Sequence, residues 1–88
     1  MKTIWKYQLA VLDFQEIEMP YGAEILCVQA QGDTACLWAK VNPDGEKVKR
    51  RFVIHGTGHT FEEYPSRYIG TFQTRFGLVF HVFEALQA

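Results

Sequence analysis

The sequence predicts an all-β domain, a small antiparallel sandwich or open barrel of about seven short strands with at most one short helical turn. Three observations carry that prediction. Apolar and polar residues alternate at period two along most of the chain. Turn-forming residues interrupt the alternation at short intervals. No stretch of helical length carries a 3.6-residue apolar repeat.

The elements follow in order. Lys2 to Leu9 sets Trp5, Tyr7 and Leu9 on one face against Ile4, Lys6 and Gln8. Phe14 to Met19 alternates Gln15, Ile17 and Met19 with Phe14, Glu16 and Glu18, and Pro20-Tyr21-Gly22 ends it in a turn. Glu24 to Ala30 and Ala35 to Val41 flank a hairpin connection at Gln31-Gly32-Asp33-Thr34. Asn42-Pro43-Asp44-Gly45 is the strongest turn signal and reads as a second hairpin, leading into Lys47 to His55. On that strand Val48, Arg50, Phe52 and Ile54 share a face. Thr60 to Tyr64 is the candidate helical turn, with Glu63 at capping-box spacing from Thr60 and Pro65 as its stop. Arg67 to Thr74 and Leu78 to Glu84 close a final hairpin around Arg75-Phe76-Gly77. Leu78 to Phe83 is apolar on both faces, which places it at a sheet centre or against a second copy of the chain. From this, self-association into a homo-oligomer is expected.

Eighty-eight residues, 48% of them hydrophobic, make one domain over residues 1–88. A net charge of −1 gives the whole molecule no long-range attraction to nucleic acid, and no sequence-specific nucleic-acid binding is expected. No apolar run approaches a membrane span, and the start alternates instead of forming an apolar leader, so a soluble, intracellular protein is expected. Cys27 and Cys36 face each other if Gln31-Gly32 is a two-residue loop, which would permit a strained disulfide; otherwise they pack as reduced, half-buried side chains. Neither Cys-x-x-Cys nor a paired-histidine motif is present, so no metal and no cofactor are expected.

Two local strings point toward a ligand. Lys40, Lys47, Lys49, Arg50 and Arg51 stand against Asp44 and Glu46, a balance of +3. Residues 1–39 carry Lys2 and Lys6 against Asp13, Glu16, Glu18, Glu24 and Asp33, a balance of −3, so a polarised molecule is expected. The basic set is either a solvated strand face that discourages edge pairing or an anion site, since arginine forks suit phosphate. His55-Gly56-Thr57-Gly58-His59-Thr60 is either an ordinary glycine-rich exit from a strand or a concave nest of amides for an anion. Combined, Lys49, Arg50, Arg51, His55, Gly56, Thr57, Gly58 and His59 form the candidate ligand site, with Trp5, Trp38 or Tyr68 offered for stacking on a base. His81, within an apolar strand, reads as a hydrogen-bonded core or interface histidine. No motif with a catalytic mechanism is present, so the chain reads as a binding protein and not as an enzyme.

Ile4-Trp5-Lys6-Tyr7, Ile17-Glu18-Met19-Pro20, Gly22-Ala23-Glu24-Ile25-Leu26, Cys36-Leu37-Trp38-Ala39, Gly56-Thr57-Gly58-His59, Tyr68-Ile69-Gly70-Thr71-Phe72-Gln73 and Leu78-Val79-Phe80-His81-Val82-Phe83-Glu84 occur in that order. In these the sequence resembles, from about Thr3 to Glu84, a family of small tailed-bacteriophage and prophage proteins of unknown function. The resemblance transfers no binding or catalytic residues. It implies a host bacterial cytoplasm and a counter-defence role through binding. The leading expectation is sequestration of a phosphorylated small molecule such as a nucleotide signal. The alternatives are a protein-binding inhibitor of a host enzyme, using Asp13, Glu16, Glu18 and Glu24 as phosphate mimics, and a minor virion or assembly component.

Overall fold

The structure, a computed structural model, describes residues 1–11 and 13–86. Its seven strands are β1 (Thr3–Leu9), β2 (Phe14–Pro20), β3 (Glu24–Gln31), β4 (Thr34–Val41), β5 (Lys47–Gly56), β6 (Ser66–Gln73) and β7 (Val79–Ala85). They form two antiparallel sheets, β1-β4-β3 and β2-β5-β7-β6, so the period-two reading holds along the chain. The inner faces share one core. Leu9, Ala35, Leu37, Ala39 and Val41 from the first sheet meet Met19, Phe52, Ile54, Phe72 and Val82 from the second. Leu37, Val41, Met19, Phe52 and Val82 are fully enclosed.

The sheets come side by side where β3 lies along β6. A Cβ at Gly70 would stand 2.8 Å from Val28 Cγ1, so this seam needs a residue without a side chain.

Asn42 to Gly45 is a turn, closed by Gly45 N–H donating to Asn42 O at 2.9 Å, but it does not make a hairpin. Strand β4 is already paired on both edges by β1 and β3, and β5 by β2 and β7. The turn therefore carries the chain from the centre of one sheet to the other. The β3–β4 hairpin also differs in register. Its turn residues are Gly32 and Asp33, which pairs Gln31 with Thr34, Gln29 with Cys36 and Cys27 with Trp38. Cys27 and Cys36 are thus not opposed, and both are free thiols.

The expected helical turn at Thr60 to Tyr64 is absent; the segment is neither helix nor strand. Topology explains this. Strands β5 and β6 run parallel, with β7 between them, so residues 57–65 must return along the sheet to start β6. A single helical turn would shorten a connection that has to cover the length of a strand. Leu86 N–H donates to Pro65 O at 2.9 Å and fixes the far end of this strap. Strand β7 is accordingly interior in its sheet, and Phe61 of the strap lies beside Phe83 on its outer face.

Candidate functional site

Strand β5 presents two different environments. At its start, Arg50 points inward with Val48 and Phe52. Its Nε and second terminal nitrogen fork onto the Glu84 carboxylate at 2.5 and 2.9 Å, and its remaining terminal nitrogen donates to Ala23 O at 2.6 Å. Both side chains are largely enclosed. A buried carboxylate needs such a counter-charge. Arg50 is therefore an interior ion pair that ties β5, β7 and the β2–β3 turn together, and does not reach a ligand.

Lys49 and Arg51 lie on the outer face, opposite Glu18 and Glu16 of β2. Arg51 Nε donates to Glu16 Oε2 at 3.3 Å. Glu24 pairs instead with Lys40 at 3.3 Å on the other sheet. The charge blocks that stand apart in sequence are interleaved by strand pairing, so neither a uniform basic face nor a uniform acidic face forms. The expected polarity is lost for that reason.

The far end of β5 carries no lysine, arginine or carboxylate and meets a group of rings. Outward rows set His55 beside His81 and Thr71, and Val53 beside Phe83 and Tyr68. The strap lays Phe61 flat on His55, with centroids 3.7 Å apart and planes at 12°. Tyr64 Oη lies 2.8 Å from His55 Nε2. Burial, with the Glu63 carboxylate adding to it, holds the Tyr64 phenol above its usual value. Tyr68 meets Phe83 edge to face at 5.4 Å. The turn that starts the strap uses Gly58 at φ +88°, a conformation open to glycine.

Between strap and sheet lies a hollow of about 250 Å³, walled by the rings of His55, Phe61, Tyr68, His81 and Phe83 and floored by the Gly56 to His59 turn. A second, of about 300 Å³, lies where Asp13, Ile54, His55, His59 and Phe61 converge. The 250 Å³ hollow has no lysine or arginine in its lining. Its polar edge is a chain of hydrogen bonds: Tyr68 Oη to Thr71 Oγ1 at 2.5 Å, Thr71 Oγ1 to His81 Nδ1 at 3.0 Å, and His81 Nε2 to Thr57 Oγ1 at 2.7 Å. The Thr57 hydroxyl donates in turn to Val79 O at 3.3 Å.

The sequence-predicted site is thus divided. His55, Gly56, Thr57, Gly58 and His59 do gather at the hollow. Lys49 is seven residues from Gly56, about 23 Å along a strand. Arg51 is four residues from His55, about 13 Å away. The turn is no open nest either, since the Thr57 amide donates to Val79 O at 3.2 Å and the His59 amide to Gly56 O at 3.1 Å. Trp5 and Trp38 lie on the three-stranded sheet, Trp5 against the core with Lys47 Nζ 5.5 Å from its ring, Trp38 opposite Lys6 and Cys27. Of the three rings offered for stacking, Tyr68 alone lines the hollow. Residues that sequence reasoning left out of the site are Phe61, Thr71, His81 and Phe83. The available signal was the Phe61-x-x-Tyr64 pair in a connection too long for a hairpin.

Among the described residues, no group of three His, Cys, Asp or Glu side chains is arranged to hold a metal ion, and no helix is long and apolar enough to cross a membrane. Comparison with curated proteins and with solved structures finds no match. The profile of a domain of unknown function, DUF7352, matches residues 1–88, and the chain belongs to that family.

Proposed function

We propose that the chain is a non-catalytic binding protein that sequesters a small molecule of the nucleotide class, held by its planar base and not by its phosphates. The observation that supports this is the ring-walled hollow, with a polar edge on one side and no cationic side chain in its lining. At about 250 Å³ it is smaller than the roughly 300–1,000 Å³ of pockets that enclose a drug-sized ligand, so it suits a ring system more than a whole nucleotide. Aromatic walls stack on any base, each stack contributing about 1–3 kcal/mol. Phosphates would extend into solvent, with Arg51 the nearest outward arginine on β5.

Thr57 and His81 stand at the distance of a nucleophile and its base. A threonine instead of a carboxylate, however, backs His81 on its other ring nitrogen. This supports binding over turnover. The setting we attach, a host bacterial cytoplasm during phage infection, rests on sequence resemblance alone. The protein-inhibitor reading draws no comparable support, because three of its four acidic side chains, Glu16, Glu18 and Glu24, stand opposite cations.

Calorimetric titration of adenosine, AMP and inorganic phosphate tests the proposal. Adenosine and AMP should bind within about threefold of each other, and phosphate should give no heat beyond dilution. Binding that requires the phosphate, or no binding by either ring compound at millimolar concentration, would overturn it.

A further inference from the structure

We infer that the site takes a ligand with two bases, a dinucleotide, whose first base enters the ring-walled hollow and whose second lies in an apolar hollow at the end of the sheet. This rests on the first hollow being a ring-binding site.

The second hollow has a volume of about 430 Å³, and Gly77 to Phe80 form its far wall. It adjoins the first, since Gly56, Thr57 and His59 line both. Strand β7 joins them as well. His81 lines the first hollow and Val79 the second, and these are alternate residues on one face of the strand, about 7 Å apart. The turn between the hollows is bare of side chains at two positions. A Cβ at Gly56 would stand 3.0 Å from His59 Cε1, so a residue without a side chain lets the imidazole lie against the end of β5. A Cβ at Gly58 would meet nothing within 4 Å, which leaves open space over the turn for a linker.

The lining of the second hollow selects the same kind of moiety as the first. It holds no lysine, arginine or carboxylate, and Leu78 presents an apolar side chain there that is 58% exposed. Covering that surface with a flat base removes apolar area from water. The wall is built before a ligand arrives: Thr74 N–H donates to Leu78 O at 2.9 Å, Gly77 N–H to Thr74 O at 3.0 Å and Thr57 N–H to Val79 O at 3.2 Å. Joining two bases makes the second contact intramolecular, which favours a dinucleotide over two separate nucleosides. Its phosphodiester crosses the turn in water and needs no cation. The 300 Å³ hollow also meets His59, but Asp13 lines it, and a carboxylate repels a phosphodiester.

Calorimetry and amide chemical shifts on the intact chain, with AMP and with adenylyl-(3′→5′)-adenosine, test the inference. Both ligands carry a phosphate, so their difference reads the second base. The dinucleotide should bind about tenfold more tightly, one per chain, and should shift the Gly77 to Phe80 amides that AMP leaves in place. Leu78→Ser, at an exposed side chain, should bring the dinucleotide within about threefold of AMP and leave AMP affinity unchanged. Equal affinity of the two ligands, or tighter dinucleotide binding with Gly77 to Phe80 unmoved, would overturn the second-base assignment and leave one-ring binding standing. Failure of both to bind would overturn the ring-binding reading and this inference with it.

Discussion

The two ends of β5 differ in how their polar groups are satisfied. At the Lys47 to Arg51 end the cations have partners within the chain: Arg50 has Glu84 and Ala23 O, Arg51 has Glu16, and Lys47 lies over the Trp5 ring. At the His55 to Gly56 end the described side-chain contacts are to rings and hydroxyls, beside open space. Charge alone would put the ligand at the first end. Our proposal puts it at the second, because a neutralised guanidinium has to give up a partner before it can take an anion.

The widest separation between the ends should come from Glu84→Ala. It strands the enclosed Arg50 guanidinium, and denaturant unfolding should show a loss of about 3–5 kcal/mol. The double change Arg50→Met with Glu84→Leu should recover much of that loss, since it removes both charges and keeps the volume. If Glu84→Ala alone costs under about 1 kcal/mol, the inward ion pair is not what organises this end.

Next in size is the seam. Gly70→Val pushes methyl groups into Val28, whose Cγ1 already lies 2.8 Å from a Cβ position, and should cost about 1–3 kcal/mol by the same measurement. Phe61→Ala acts at the other end. It removes the stack on His55, should cost only about 0.5–1.5 kcal/mol, and should speed amide exchange across residues 57–65 while abolishing nucleoside binding. Equal binding by Phe61→Ala would detach the strap from the site.

The smallest effects concern two tyrosines. Tyr7 Oη is buried with no hydrogen-bond partner among the described residues, so Tyr7→Phe should be neutral or should stabilise by up to about 1 kcal/mol. Burial raises the Tyr7 phenol above its usual value, as it does at Tyr64. The folded state then holds these protons more tightly than the unfolded one. The contribution is complete below about pH 10 and is lost as pH rises through the folded values, so unfolding should become easier in alkali. Tyr7→Phe should blunt that loss.

The sequence was legible where one strand explains itself. Alternation located all the strands, and the inward turn of Arg50 could be read from its place among Val48, Phe52 and Ile54. What could not be read depended on which strand lies beside which. Asn42 to Gly45 carries every mark of a hairpin, yet joins two strands whose edges are taken by others. Glu16 and Glu18 are more than thirty positions from Arg51 and Lys49, and only pairing of β2 with β5 brings them opposite. The strap is the same case. Thr60 and Glu63 stand at capping-box spacing, yet β7 separates β5 from β6 and the connection has to return along the sheet.

Backbone amide chemical shifts during titration of the unaltered chain with adenosine test the central claim most directly. The account predicts saturable shifts confined to Gly56 to Phe61, Tyr68, His81 and Phe83, with Lys47 to Arg51 unmoved. Shifts centred on Lys49 and Arg51, or none at millimolar nucleoside, would contradict it.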